Sequence, residues 1–390
     1  MPIDILTPED LKELTEECEE TCVSIYIPTE RLGKAVEKNP VRLKNYLEEA
    51  KEQLVARGLR APEAREFLEP AYQLLPNNGF WQLQSDGLGL FISPDSFRFY
   101  RLPYDFEPVT VAADRFHLKP LLPLISADGR FFVLQLSQEN IRLLYGTRYS
   151  VGEIDLEEAP EGLSEALRFE DPERKLQFHT ATQTPGGHED RPAVFHGQGV
   201  ASDDDPKEKI LRAFHRVDEG VTEFLDGLDA PLVLAGVDYL HPIYHEANSY
   251  PHLVDEGIVG NPEEMSPEEL HQQAWAVVQP LFLETQEEAA AKIRQFIGTG
   301  NELASDDLEE IVPAAVYGRV HTLFVARDLQ RWGVFNREAN EIRTHQEQEP
   351  EDIDLLDLSA VHTFLNSGAV YVVDVGTVPA DGPVVALLRY

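Results

Sequence analysis

The fold is decided by the stretch PKEKILRAFHRVDEGVTEFLDGL, residues 206–228, which is followed by PLVLAGVDY at residues 231–239. Apolar residues recur along the first segment at three- and four-residue spacing, which predicts a long amphipathic helix with one buried face. That face is expected to comprise Ile210, Phe214, Val217, Val221, Phe224 and Leu228. The second segment is almost continuously apolar, which is typical of a strand in the centre of a sheet. A helix followed by a central strand indicates an α/β domain.

A long polar segment precedes this helix. Two strands are predicted at Phe131–Ser137 and Ile141–Tyr145, and residues from about 171 to 206 then show almost no periodicity. Loops of this length inside a compact domain are uncommon and are usually functional or disordered. The segment contains Phe195-His-Gly-Gln-Gly199. We expect residues 176–205 to be mobile or poorly packed and to project from the middle of three domains.

The positions of proline and glycine residues suggest three predicted domains, at residues 1–120, 121–265 and 266–390. The first is predicted to be α+β, the second to hold a mixed sheet with the long exposed loop, and the third to be an α/β/α sandwich. In the first, helices are expected at Thr7–Cys18, Pro40–Arg57 and Ala61–Leu75, with strands at Cys22–Pro28, Phe80–Gln84, Gly87–Ile92 and Ser96–Leu102. In the third, helices are expected at Pro267–Val278, Thr285–Phe296, Ser305–Tyr317 and Asp354–Ser367, with strands at Thr322–Arg327, Ala369–Val375 and Val384–Leu388.

The chain carries 70 acidic residues against 33 lysines and arginines, a formal net charge of −37 spread over every segment. This resembles the acidic surfaces of proteins from a salt-rich cytoplasm, where salt screens self-repulsion, although an ordinary acidic protein stays an alternative. Weak affinity for nucleic acid is expected at low salt, and DNA is not an expected partner. No apolar run is long enough to span a membrane. We expect a cytoplasmic protein in which Cys18 and Cys22 are ordinary reduced thiols.

The order of a strand pair, a loop holding Gly197-Gln198, a long helix and then Pro231-Leu-Val-Leu-Ala-Gly236 resembles the middle domain of the archaeo-eukaryotic class 1 release factors and Pelota proteins, in their bacterial branch. The run from Ile311 to Val325 is similar to the C-terminal domain of that family, which is related to the ribosomal protein L7Ae group. The resemblance implies RNA binding in the ribosomal A site, with rRNA and peptidyl-tRNA as partners. It also implies delivery by a translational GTPase.

The resemblance further implies that His196, Gly197, Gln198 and Gly199 form the catalytic tip. In the family a Gly-Gly-Gln tip promotes attack of water on the peptidyl-tRNA ester: glycine permits close approach to RNA, and the glutamine backbone N–H stabilises the oxyanion. Here His196 replaces the first glycine, and the acidic run Ser202-Asp-Asp-Asp-Pro206 follows. Two alternatives therefore stay open. One is an active peptidyl-tRNA hydrolase in ribosome rescue, and the other is a non-catalytic factor for rescue or hibernation.

Other functional classes have weaker support in the sequence. The stop-codon-reading motifs of the family, Asn-Ile-Lys-Ser and Tyr-x-Cys, do not occur in the first block, so we expect no codon reading. A metal-dependent hydrolase is a second alternative function, but its candidate ligands lack a tight ligand spacing and no metal or cofactor is expected. Those candidates are His179, His188, Asp190, His196, Asp203–Asp205 and His215, with His241 and His245 further along. The aromatic residues of the first block are predicted to pack in its core rather than to stack on bases. These are Phe80, Trp81, Phe91, Phe97, Phe99 and Tyr100.

Overall fold

A computed structural model describes Asp4 and residues 6–18, 21–103, 106–126, 129–137, 140–148, 151–154 and 206–390. Two compact units result. One comprises Met1–Arg130, Gly146–Gly152 and Val278–Tyr390, and the other comprises Phe131–Tyr145 and Glu153–Val277. Both units combine helices with β-sheet, which confirms the α/β class. Within the described ranges, no helix is both long and apolar enough to cross a membrane.

The first block is a four-stranded antiparallel sheet covered by helices. It begins with α1 (Pro8–Glu16), whose first turn is closed by reciprocal hydrogen bonds between Thr7 and Asp10. The strand order is β3-β2-β1-β4. One face of this sheet packs against the apolar side of α2. The elements after α1 are β1 (Cys22–Pro28), α2 (Asn39–Ala56), α3 (Ala61–Phe67), α4 (Glu69–Tyr72), α5 (Asn78–Gln82), β2 (Gly87–Ile92), β3 (Phe97–Leu102), β4 (Val109–Ala113) and α6 (Leu122–Ile125).

Helix α5 replaces the strand predicted at Phe80–Gln84, and that prediction was wrong. The Asn77 side chain accepts a hydrogen bond of 3.1 Å from the Phe80 backbone N–H, which starts a helical turn. The indole of Trp81 then donates to the Leu74 carbonyl at 2.9 Å. These local bonds satisfy backbone groups that a strand would have paired with a neighbour, so they override the alternating apolar pattern.

The two cysteines also differ from the expectation of separate thiols. Cys18 and Cys22 form a disulfide, and their Cα atoms lie 6.1 Å apart, within the range usual for such bonds. Cys22 is the first residue of β1 and is fully buried. The disulfide joins the chain just after α1 to the start of β1. A spacing of four residues between two cysteines did not by itself predict this bond.

The second unit contains a five-stranded sheet in the order β7-β6-β5-β8-β9, with β8 parallel to both β5 and β9. Strand β8 is therefore central, as predicted. The buried side of α7 consists of Ala213, Phe214, Val217, Val221 and Leu225, whereas Phe224, expected on that side, is 42% exposed. The elements are β5 (Phe131–Leu136), β6 (Ile141–Gly146), β7 (Val151–Ile154), α7 (Pro206–Leu225), β8 (Leu232–Gly236), α8 (His241–Ala247) and β9 (Ile258–Val259).

The third block is an α/β/α sandwich built on a sheet in the order β10-β16-β11-β15. Leu323 and Val325 of β11 contact the α10 and α11 side, while Phe324 and Ala326 contact α9 on the other face. A second sheet, β13-β12-β14, was not predicted. The elements are α9 (Pro267–Thr299), β10 (Ala304–Ser305), α10 (Leu308–Val316), β11 (Val320–Ala326), β12 (Trp332–Asn336), β13 (Glu341–His345), β14 (Ile353–Asp354), α11 (Leu355–Leu365), β15 (Ala369–Val373) and β16 (Val384–Leu388).

Helix α9 merges the two helices predicted at Pro267–Val278 and Thr285–Phe296 into one. It continues through Pro280, although proline removes one backbone donor and crowds the preceding turn. Val278 before the proline and Ala290 after it are both buried. Tertiary packing on both sides of Pro280 therefore offsets the local cost that made a break the simpler expectation.

The first and third blocks share one hydrophobic core, which includes Tyr26 and Phe91 from the first and Leu323 and Leu356 from the third. The division into three domains with limits at residues 120 and 265 stays a prediction.

A buried polar contact crosses that shared core. Asp357 Oδ1 accepts hydrogen bonds from the backbone N–H groups of Leu118, at 2.6 Å, and of Lys119. The fully buried Lys119 ammonium lies 3.3 Å from Asp354 Oδ2, so its charge is compensated. Burial raises the pKa of Asp357 and lowers that of the neighbouring His117.

Candidate functional site

The predicted catalytic residues His196, Gly197, Gln198 and Gly199 lie outside the described residues, as does the acidic run before Pro206. The structure describes the two elements on either side of this segment. Strand β7 ends at Ile154 and helix α7 begins at Pro206. Helix α7 is the described element closest in sequence to the predicted tip, because it begins at Pro206, seven positions after Gly199.

The first half of α7 is locally basic, which sets it apart from the rest of this acidic chain. Residues 206–216 contain four lysines and arginines, Arg216 included, against one acid, Glu208. Lys209, Arg212 and Arg216 follow a spacing of three and four residues, so they share one side of the helix. All three are at least partly accessible to solvent. Counting acids and bases along the sequence missed this face, because only helical spacing gathers the bases together.

Lys207, in the first turn of α7, is turned toward helix α8 instead. Its ammonium lies 2.9 Å from the Glu246 carboxylate, in an exposed ion pair. Exposed pairs of this kind contribute little to stability, about 0–1 kcal/mol. Lys207 therefore points away from the side of the helix that Lys209, Arg212 and Arg216 share. We call these three residues the helix basic face.

A buried carboxylate fixes the position of α7. Asp218 accepts hydrogen bonds from the Ser249 backbone N–H at 2.9 Å and from the Ser249 hydroxyl at 2.6 Å. It also accepts one from the Tyr244 hydroxyl at 3.4 Å. Burial and the Asp218 charge raise the pKa of Tyr244, which keeps its hydroxyl protonated as a donor. This network ties α7 to α8 and the segment after it, and therefore orients the helix basic face.

The carboxyl ends of the parallel strands, where ligands often bind in α/β sheets, are occupied by the protein's own side chains. The His241 ring lies 3.0 Å from the Gly236 carbonyl, as one hydrogen-bond pair. A Cβ placed on Gly257 would lie 2.5 Å from that ring. His245, the other histidine of this pair, is exposed. His241 therefore has a packing role at the end of β8.

The metal-site alternative finds no support among the residues that the structure describes. They contain no group of three or more His, Cys, Asp or Glu side chains arranged to hold a metal ion. His215 lies exposed on α7. The other candidate ligands, His179, His188, Asp190 and Asp203–Asp205, lie outside the described residues.

The segment that contains the loop and α7 also has a recognised family. Residues 131–280 match the family described as bacterial archaeo-eukaryotic release factor family 7. This stretch of the chain is therefore similar to the bacterial members of the archaeo-eukaryotic release factors. The match begins at the first residue of β5 and includes all of α7 and β8. No curated protein matches the sequence.

Some solved structures of translation factors are distantly similar to this chain. The archaeal translation termination factor aRF1 shares 14% identity, with 99% of each chain covered and a TM-score of 0.25. Ribosome-bound archaeal Pelota, whose structure was described together with ABCE1, shares 14% identity over 100% of this chain and 99% of that one, with a TM-score of 0.37. Dom34 of S. cerevisiae, described as a translation termination-like factor, shares 10% identity over 78% and 79% of the two chains, with a TM-score of 0.35.

The aromatic residues of the first block pack in its core. The Phe80 ring meets the rings of Trp81 and Phe99 edge to face, with centroids 4.9 and 5.1 Å apart. Phe91 and Tyr100 pack together in the same manner at 5.9 Å. The prediction that the aromatic residues pack in the core is confirmed for these five residues, because their rings contact one another.

Proposed function

We propose that this release-factor-like chain binds the ribosomal A site and acts in ribosome rescue or hibernation without reading a stop codon. The observation that carries the proposal is the helix basic face, which lies after the Gly-Gln segment in the sequence and inside the region of family similarity. A chain of net charge −37 is repelled by RNA as a whole, so any productive contact needs local cations. The helix basic face supplies such cations a short distance after the predicted tip in the sequence.

The non-catalytic form of the proposal is favoured over the peptidyl-tRNA hydrolase. His196 stands where the family has the first glycine of its tip. A residue with a Cβ is disfavoured in left-handed backbone conformations by about 1–2 kcal/mol, so a glycine's freedom is lost there. The active hydrolase is kept as the second candidate because Gly197 and Gln198 retain the last two positions of the motif.

The proposal also implies a cellular setting and a partner. The structural relative Dom34 is described as interacting with Hbs1. A translational GTPase is the partner we propose for delivery of this chain to the A site. The setting would be the cytoplasm, where ribosomes are found.

Co-sedimentation with ribosomes from the native host tests the proposal. We expect binding by the unmodified protein, and about tenfold weaker binding after the double substitution Lys209→Gln and Arg212→Gln, because two phosphate contacts are removed. The matched control is Lys12→Gln with Lys44→Gln, which removes two exposed lysines from the first block. Equal binding by all three proteins would contradict the role of the helix basic face. Absence of ribosome binding at the salt concentration of the host would overturn the proposal.

A further inference from the structure

The arginines of this chain differ in whether a carboxylate is their partner. In the first block the carboxylates of Asp86, Glu30, Glu13 and Asp4 each hold an arginine by an ion pair. Arg319, Arg337 and Arg389 of the third block form no such pair with any described carboxylate. In a chain with 70 acidic residues against 33 basic ones, a group of arginines without a carboxylate partner is unexpected.

Arg319 and Arg389 lie at one end of the C-terminal sheet, and the turn that carries Arg337 contacts Tyr317 beside them. The backbone N–H of Arg389 donates to the Arg319 carbonyl at 2.8 Å, because β16 and β11 run antiparallel there. The Arg337 carbonyl accepts a hydrogen bond of 3.2 Å from the hydroxyl of Tyr317, which lies two residues before Arg319. We call Arg319, Arg337 and Arg389, with the 53% exposed Tyr317, the C-terminal arginine surface.

Two of these arginines are held by neutral groups. Arg337 Nη2 lies 3.3 Å from His362 Nε2, and Arg389 Nη2 donates to the Asn366 carbonyl at 2.7 Å. Burial, together with the nearby Arg115 and Arg337 guanidinium groups, lowers the pKa of His362 to about 4, so the ring is neutral near pH 7 and accepts the bond. A carboxylate in that place would fix the arginine and cancel its charge. The neutral acceptors fix it and leave the charge available.

Helix capping accounts for only part of this arrangement. A cation near the end of a helix is favourable because it complements the helix dipole, and Arg389 caps α11 in that way through Asn366. Arg337, however, lies in the turn between β12 and β13 and bonds a side chain rather than a helix carbonyl. Arg115, half-buried after β4, also lies near His362, but the Asp357 and Asp114 carboxylates partly compensate its charge. The Arg337 charge is paired with no carboxylate among the described residues, so helix capping does not explain its position.

We infer that the C-terminal arginine surface binds phosphate groups of RNA. The inference rests on the proposed function only in naming RNA as the source of the phosphates. A guanidinium can bind two phosphate oxygens at once, and an arginine already fixed in position loses less conformational freedom on binding. The exposed ring of Tyr317 offers a neighbouring surface on which a base can stack. His362 is a positioning residue in this arrangement, because it holds Arg337 without contacting the ligand.

Binding of a fluorescent single-stranded RNA oligonucleotide to the full chain tests this surface. We expect Arg337→Gln and Arg389→Gln each to weaken binding about threefold to tenfold and to lower the dependence of log affinity on log salt by about one. Arg337→Lys should recover part of the affinity but not all of it, because the charge returns without the planar fork. The matched control is Arg294→Gln, since Arg294 is already paired with Glu287 and its loss should leave RNA binding unchanged.

Two comparisons separate this inference from the proposed function. Poly-glutamate as competitor should displace the RNA far less well than unlabelled RNA of equal length, and equal displacement would overturn the assignment to phosphate. His362→Leu should lower RNA affinity while the melting temperature shows that the variant is folded. Unchanged RNA binding by the Arg337 and Arg389 variants would overturn the inference even if the helix basic face proves essential for ribosome binding. Loss of RNA binding in these variants of a protein that binds no ribosomes would support the inference and reject the proposed function.

Discussion

The Asp218 carboxylate lies 2.6 Å from the Ser249 hydroxyl, and this bond joins the helix that carries the basic face to the segment that follows α8. Replacing Asp218 by alanine should destabilise the protein by about 2–3 kcal/mol, because the Ser249 N–H and the Tyr244 hydroxyl lose their acceptor. Urea unfolding measures the change. The neighbouring exposed acid serves as control: Glu219→Ala should change stability by no more than about 0.5 kcal/mol. Similar effects of both substitutions would contradict the role of Asp218.

His362 should make stability depend on pH. Burial and the nearby arginines lower its pKa to about 4 in the folded state, whereas an unfolded histidine titrates near 6.5. Between these values the unfolded chain binds the additional proton, so the free energy of unfolding should rise with pH from about 4 to about 6.5 and gain nothing from His362 above that. Burial lowers the pKa of His117 too, so His117 adds to the same trend. The pKa of Asp357 is raised, so this group has the opposite effect and lowers the free energy of unfolding as the pH rises through the acidic range.

The substitution His362→Gln isolates that contribution. The difference between the free energies of unfolding at about pH 7 and about pH 5 should be smaller in this variant than in the unmodified protein. The exposed His245 provides the control, and His245→Gln should leave that difference as it is. An identical pH dependence in all three proteins would show that His362 does not titrate as described.

Gly257 should not tolerate a larger residue. A Cβ there would lie 2.5 Å from two atoms of the His241 ring and 3.0 Å from the Leu234 carbonyl, so Gly257→Ala should destabilise by about 1–3 kcal/mol. Adding His241→Ala should restore part of the stability by removing the ring. Gly298→Ala is the control, because Gly298 lies within α9 and a Cβ there meets nothing within 4 Å. That change should stabilise by up to about 1 kcal/mol. A harmless Gly257→Ala would refute the packing role of His241.

Stability should also increase with monovalent salt. At a net charge of −37 the folded chain repels itself, and added ions screen that repulsion. Thermal melts in potassium chloride, from low to molar concentration, are expected to show a rising midpoint. A flat or falling midpoint would remove the interpretation of the chain as salt-adapted.

The tip can be tested by peptide release from stalled ribosomes. We expect slow or absent release with ribosome binding retained, because His196 departs from the family pattern. If release occurs, Gln198→Ala should weaken it without affecting binding, and Gly197→Ala should abolish it, since a displacement of about 1 Å costs on the order of a hundredfold in rate. Rapid release that depends on Gln198 would restore the hydrolase as the main function.

The sequence predicted the elements whose signal is periodic and local. The helix from Pro206 and the strand around Leu234 follow directly from their apolar spacing. Prediction failed where one side chain decided the outcome, as at Asn77, or where tertiary packing carried a helix through Pro280. The short strand Val109–Ala113 was missed because its pairing partner, β1, lies far away in the sequence.

The candidate site was predictable to a smaller extent. The Gly-Gln segment was recognised by its place between a strand pair and a helix, and it still lies outside the described residues. The C-terminal arginine surface could not be predicted, because Arg337 and His362 are 25 positions apart and neither belongs to a motif. Only the fold shows which arginines meet a carboxylate and which meet a neutral acceptor.

The buried contact between Lys119 and Asp354 can form only late in synthesis of the chain. Chains emerge from the ribosome with the N-terminus first, and domains usually fold as they appear. Here the first block exposes one side of its sheet, and a lysine destined for the interior, until more than two hundred further residues have been synthesised. The nascent chain therefore carries an incomplete core through most of its own translation. A truncated product that stops before Asp354 would keep that surface open and be a ready substrate for proteolysis.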